Sequence, residues 1–365
     1  MPTEAEILDA LRGVVDPELH RDLVDLGTAR VSVRGSTVDI EVGLVTDEYP
    51  EEAERELHDA VVAAVRAVPG VEELKLAFAD IGEDAAAELM QRLHPNGLPF
   101  AEENSRARVL LISSGKGGVG KSSVTVNVAV ALAQRGKRVA IVDADVYGFS
   151  IPAMLGIDTP PVVVGDRVVL PPRKHGVRLA SIGFFVPEDQ PVIWRGPMLH
   201  KALEQFLTDF YWGDPDYLVV DMPPGTGDIS LSLAQLLPGA EAYVVTTPQP
   251  AAQRVAQRAG TMFQHQNIRI PVRGVIENMS WFTGDDGVRY PLFGSGGGEL
   301  LATRLDVPLV GRVPLVPALR EGGDIGMPIT VSEPESEAAA AFAETAAWIE
   351  AHPPTKRRNP ALKVV

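Results

Sequence analysis

The chain has 365 residues, enough for two domains with sizeable cores at about 150 residues per domain. Its 45% hydrophobic and 22% charged residues are globular values, and its 34 glycines and 30 prolines fall short of the roughly 25–30% that marks low-complexity sequence. A net charge of −16 repels nucleic-acid phosphates and anionic lipid, and the absence of cysteine removes disulfides, thiol catalysis and thiolate-held clusters. No run approaches the ~18 uncharged apolar residues of a spanning helix, and the acidic start MPTEAEILDALRG lacks the basic and apolar regions of a signal peptide. A soluble cytoplasmic protein is expected, with neither nucleic acid nor membrane as partner.

In chain order, residues 1–80 read as a small α/β domain. Ile7, Leu8 and Leu11 give an amphipathic helix, Asp16-Pro17 a turn, and 29–33 a strand. Arg34-Gly35-Ser36 turns the chain into 37–44, where Val38, Ile40, Val42 and Leu44 alternate as in a half-buried strand. A helix is predicted over 50–68, with Leu57, Val61, Val62 and Val65 as its apolar stripe and Pro69-Gly70 as its stop, before a last strand over 71–78. Residues 81–106 read as a linker that carries one short helix over 84–93 and then the polar stretch HPNGLPFAEENS.

From 107 to 351, short continuous apolar runs at 108–113, 138–142, 217–222, 242–247, 272–277 and 309–313 alternate with helical segments. Strands that are apolar on both faces and joined by helices predict a doubly wound, mostly parallel sheet. The last helix is predicted over 335–351, and the basic, proline-broken tail 352–365 is expected to be disordered.

Gly115-Lys116-Gly117-Gly118-Val119-Gly120-Lys121-Ser122 fits G-x-x-x-x-G-K-[ST] between a predicted strand and a predicted helix, which predicts a P-loop. The glycines let backbone N–H groups converge on phosphates, the helix N-terminus adds positive potential, Lys121 neutralises β/γ charge, the Ser122 hydroxyl can ligate Mg²⁺, and Ser123 after it is a further nucleotide-binding candidate. Two apolar strands end in acids, one in Asp143 and Asp145 and the other in Asp221, at the sheet edge where such folds bind ligands. Asp221 is assigned to Mg²⁺ through water, Asp143 to the metal side and Asp145 to the attacking water, although the sequence leaves the order of Asp143 and Asp145 open. Gly225 is a candidate to touch the γ-phosphate by its N–H. Lys116, the second lysine of the loop, is either a catalytic residue or a solvated loop lysine.

These segments resemble the Mrp/ApbC-type ATPases of the MinD-like P-loop class, which carry iron-sulfur clusters to apo-proteins. The resemblance rests on SSGKGGVGKS (113–122), DADVYGFSIPAMLG (143–156), PVIWRGPMLHKALEQF (191–206), DYLVVDMPPGTGD (216–228), VVTTPQ (244–249), GVIENMSWF (274–282), FGSGGGELLA (293–302) and PLVPALREGGD (314–324). It implies ATP and Mg²⁺ as cofactors, a homodimer in which Lys116 reaches the partner subunit's nucleotide, and apo iron-sulfur clients or assembly proteins as partners. It also implies that Asn278 hydrogen-bonds adenine, where the residue alone reads as a turn asparagine.

The N-terminal unit resembles a metal-sulfur assembly domain through 16–27, 46–50 and 68–76, with Tyr49 at a position that is usually cysteine. The carriers' C-x-x-C falls here on Gly284 and Gly287, so no iron-sulfur ligand is identifiable; Asp285 and Asp286 read as a hairpin turn. Two functions follow. One is an ATPase of iron-sulfur cluster assembly or transfer, and the other is a MinD/ParA-like nucleotide-switched dimer that recruits a protein partner without any cluster.

Overall fold

The computed structural model describes residues 1–94, 100, 105–146, 148–165, 168–186, 196–225, 228–265, 268 and 270–354. The expected disordered tail lies outside the described residues from residue 355 on, as does most of the HPNGLPFAEENS stretch. The chain forms two compact units, one of Met1–Gly97, Pro161–Leu170 and Asp209–Asp214, the other of Leu98–Pro160, Pro171–Thr208 and Pro215–Val365.

In the first unit the helix Glu4–Leu11 begins at a capping box, in which Thr3 Oγ1 accepts from the Glu6 N–H at 3.3 Å while Glu6 Oε2 accepts from the Thr3 N–H at 2.9 Å. The strand Thr37–Leu44 is central, antiparallel to Ala29–Arg34 and parallel to Glu73–Asp80. Its alternating Val38, Ile40 and Val42 are buried against Ile7 and Leu11 and against Leu57, Val61 and Val65 of the helix Glu51–Arg66. The period-two and helical stripes read from the sequence thus meet as one core.

The helix Glu83–Leu93, inside the stretch read as a linker, buries Ala86, Leu89 and Met90 in a second core of the same unit. That core is completed by segments distant in sequence, the hairpin of Val162–Val164 and Val168–Leu170 and the ring of Tyr211, whose hydroxyl donates to the Leu19 carbonyl at 2.6 Å. Tyr49 is buried, and its hydroxyl donates at 2.8 Å to Asp16 Oδ1, which also accepts from the N–H groups of Glu18 at 2.8 Å and Leu19 at 2.7 Å. Burial and the adjacent Asp16 and Glu18 push the Tyr49 hydroxyl far above its ordinary pKa, so it stays a neutral donor.

In the second unit eight strands run in the order Leu309–Arg312, Val272–Glu277, Glu241–Thr246, Arg108–Ser114, Tyr217–Asp221, Val139–Asp143, Val177–Ser181, Arg173–Lys174. All neighbours are parallel except the last pair, which is antiparallel. The inner strands are buried along their length, as both-face cover by helices requires. The helix Lys121–Gln134 is apolar on nearly every side, with Val124, Val126, Val128, Val130 and Leu132 all buried, because it is enclosed by the sheet and by the helix Glu337–Ala351. Among the described residues no helix is long and apolar enough to cross a membrane.

Candidate functional site

The register of the parallel sheet builds the site. Asp221 stands opposite both Ile112 and Asp143, and Asp143 stands opposite Ser181, so three polar residues lie side by side where the strands end. The loop from Gly115 to Gly120 leaves the neighbouring strand Arg108–Ser114 and enters the helix Lys121–Gln134 above them.

Gly118 and Gly120 hold φ of +76° and +78°, the left-handed region that favours glycine. Gly115 is required for a different reason, since a Cβ there would lie 2.2 Å from the Ala256 backbone nitrogen.

Around Asp221 the hydrogen bonds are short. Its Oδ2 accepts from Lys121 Nζ at 2.6 Å and from Ser122 Oγ at 2.7 Å, and its Oδ1 accepts from Thr125 Oγ1 at 2.6 Å. Lys121 Nζ also lies 3.4 Å from Asp145 Oδ2, so the lysine is paired with two protein carboxylates. Asp143 is fully buried and accepts from Ser181 Oγ at 3.0 Å and from the Asp145 N–H at 3.2 Å. Burial, followed by repulsion from Asp221, raises the Asp143 pKa well above the carboxylate range. Asp145, 8% exposed against 0% for Asp143, is the more accessible acid of the pair.

Thr125 and Ser181 were not among the residues expected at the site. Thr125 lies one helical turn after Lys121, a spacing that could have flagged it. Ser181 had no local signal, because its strand joins the sheet beside Asp143 only in three dimensions. Two expected residues are otherwise engaged. Lys116 Nζ donates to Gln249 Oε1 at 3.4 Å, and the Gly225 N–H donates to the Ser114 carbonyl at 2.9 Å.

A cavity of about 450 Å³ opens beside the P-loop, lined by Gly120, Ser123, Asn278, Met279, Pro314 and Leu319 among others. Asn278 Nδ2 donates to the Val119 carbonyl at 2.9 Å, whereas Asn278 Oδ1 is buried with no hydrogen-bond partner among the described residues. A buried acceptor left unpaired costs stability, and a planar ligand carrying an amine would satisfy it. Met279 follows at a left-handed φ of 56°, an uncommon conformation for methionine next to a ligand-sized cavity.

Gly284 and Gly287 lie in the hairpin of Phe282–Thr283 and Arg289–Tyr290. The Gly287 N–H donates to the Gly284 carbonyl at 2.9 Å, and Asp286 accepts from the Val288 N–H at 3.0 Å and from the Tyr290 hydroxyl at 2.6 Å. Asp286, held below its ordinary pKa mainly by the Tyr290 hydrogen bond, serves the turn. A Cβ on Gly284 would lie 2.8 Å from Asp286 Oδ1, and Gly287 has a φ of +74°. The hairpin is fastened to Glu337, which accepts from Trp281 Nε1 at 3.2 Å, from Thr283 Oγ1 at 3.0 Å and from Arg289. Among the described residues no group of three or more histidine, cysteine, aspartate or glutamate side chains is arranged to hold a metal ion, and the chain has no cysteine. These residues do not fit an iron-sulfur cluster, which takes thiolate ligands.

Residues 105–350 match the family described as NUBPL iron-transfer P-loop NTPase, and residues 4–76 match that of iron-sulfur cluster assembly protein. The chain is 45% identical to the iron-sulfur cluster carrier protein of Mycobacterium tuberculosis over 344 residues, covering 91% of this chain and 89% of that one. It is also 45% identical to the protein of that name from Synechocystis over 361 residues, covering 96% and 97%. A nucleotide-binding protein of Archaeoglobus fulgidus, solved with ADP, is similar to 66% of this chain and 97% of its own, with a TM-score of 0.56 and 33% identity. With a doubly wound sheet, a P-loop above a row of acids and matches along most of its length, this chain belongs to the iron-sulfur cluster carrier family of P-loop NTPases.

Proposed function

We propose that this protein is a Mg²⁺-dependent ATPase that acts in the cytoplasm as a homodimer and drives iron-sulfur cluster delivery or assembly, with the cluster held by thiolates of a client or assembly protein. The observation that carries the ATPase reading is the convergence of Lys121, Ser122, Asp143, Asp145 and Asp221 beneath the P-loop. ATP phosphates take the place of the carboxylates that now pair with Lys121, and the helix N-terminus adds its backbone N–H groups and dipole. Ser122, Asp221 and Asp143 are hard oxygen donors suited to Mg²⁺, which when bound supplies charge neutralisation at the β- and γ-phosphates. Thr125 keeps Asp221 oriented, and Ser181 does the same for Asp143.

Asp145, the more accessible acid, accepts a proton as water attacks the γ-phosphorus and the β–γ bridging P–O bond breaks. Asn278 Oδ1 accepts from the adenine amine, where guanine would present a carbonyl instead. Replacing Asn278 by alanine is expected to weaken ATP binding by about fivefold, the effect of one hydrogen bond near 1 kcal/mol, and to shrink the preference for ATP over GTP. Titration of both nucleotides by calorimetry checks it.

The hairpin at Gly284 and Gly287 favours a cargo ligated elsewhere. Protein purified and reconstituted anaerobically is expected to contain no stoichiometric iron or acid-labile sulfide while retaining Mg²⁺-dependent ATP turnover. A full complement of iron and sulfide per dimer would overturn the borrowed-ligand reading, and absent turnover would overturn the ATPase reading. A chain that turns over ATP yet leaves cluster transfer between partner proteins unchanged would support the nucleotide-switch alternative.

A further inference from the structure

The helix Pro250–Gln264 contributes nothing to the acids of the nucleotide site, yet it is locked to the P-loop at two points. Gly115 lies against the backbone of Val255 and Ala256 so closely that no side chain would fit, and Lys116 Nζ reaches Gln249, the residue just before the helix. The outer face of this helix lines an open cleft of about 850 Å³.

Arg254 and Arg258 stand there one helical turn apart, and Leu231, Met262 and Ile268 supply apolar surface in the same cleft, which His265 also lines. Both arginines are exposed, and neither makes an ion pair or hydrogen bond among the described residues. A second cleft of about 460 Å³ continues from Arg254 to Arg304 and the 44%-exposed Leu300. Among the described residues lining the two clefts there is no carboxylate, on a chain whose net charge is −16.

We infer that this face of the Pro250–Gln264 helix docks an acidic, amphipathic segment of a partner protein. Its carboxylates pair with Arg254 and Arg258, and its apolar side chains enter between Leu231, Met262 and Ile268. Charge complementarity selects the occupant: a cationic strip on an acidic molecule attracts an acidic ligand against the field of the rest of the surface. The interleaved apolar side chains favour a peptide over a nucleic-acid backbone, which would use an unbroken basic track. Because Lys116 connects the P-loop to Gln249 at the start of this helix, binding at the cleft depends on nucleotide; this clause rests on the ATPase reading above.

The probe is a fluorescent synthetic peptide with glutamates on one flank of a helix and leucines on the other, titrated against the full-length chain by anisotropy. Saturable, salt-sensitive binding is expected, weakened about tenfold or more by the double reversal Arg254→Glu and Arg258→Glu, with ATP turnover and thermal unfolding unchanged. The same peptide with glutamine for glutamate is expected to bind no better than the reversed variant. Absence of saturable binding, binding unaffected by the reversal, or preference for duplex DNA or phosphatidylglycerol vesicles over the peptide would overturn the proposal. ATP affinity is measured on the same sample. If ATP binds but leaves the peptide affinity unchanged, the nucleotide linkage is overturned; if ATP does not bind, it is the ATPase reading that fails.

Discussion

Replacing Lys121 by alanine is expected to abolish ATP binding at concentrations that saturate the unaltered protein. Lys121 Nζ pairs with Asp221 at 2.6 Å and lies 3.4 Å from Asp145, and it is itself buried. A charge-assisted hydrogen bond contributes about 1.5–3 kcal/mol, and each 1.4 kcal/mol is a factor of ten, so loss of its phosphate contacts predicts a weakening of about a hundredfold or more. The same change removes the cation that pairs with the buried Asp221. Removing one partner of a buried pair destabilises by about 3–5 kcal/mol, so the nucleotide-free variant should also melt at lower temperature. The replacement Lys121→Met retains the stem and tests whether volume or charge is lost. Calorimetric ATP titration and a thermal melt read the two effects separately, and a Lys121→Ala variant that binds ATP normally would remove the lysine from the site.

For Asp145→Ala the expected result is the opposite division, with nucleotide binding kept and turnover lost. Asp145 lies beside Lys121, whereas the Ser122–Asp221 hydrogen bond is made without it, so its removal leaves the phosphate cradle and that pair in place. A residue that positions and deprotonates water supplies typically 10²–10⁴-fold, so kcat should fall by about that factor while the affinity for ATP changes little. Asp143→Ala should act differently. Asp143 is buried beneath the site and held by Ser181 and by the Asp145 N–H, so its loss is expected to weaken the response to Mg²⁺ rather than the proton transfer itself. Single-turnover kinetics on both variants over a range of Mg²⁺ concentrations separates the two acids, an order the sequence left open.

Much of the fold was legible because the physics behind it is local. The alternation of Val38, Ile40 and Val42, the helical spacing of Leu57, Val61 and Val65, and the uninterrupted apolar runs of the central strands each report a periodicity that burial imposes within one element. The glycine loop and the acids ending two strands were legible for a related reason, since a phosphate cradle must be made by consecutive residues. The small hairpin of Val162–Val164 and Val168–Leu170 was not, being only three residues a side and finding its core with Leu89, Met90 and Tyr211.

The sequence by itself therefore determined the P-loop, the strand-end acids, the family, and the absence of thiolates where carriers have them. Tertiary structure alone decided which groups surround those acids. Ser181 meets Asp143 because two parallel strands pair in one register, Asn278 presents an unpaired buried oxygen beside a cavity because a distant strand ends there, and Arg254 lines two clefts because separate helices converge on it. Motif and periodicity report each residue's own conformation and burial, whereas the contacts between residues far apart in sequence are fixed only when sheet register and helix packing bring them together.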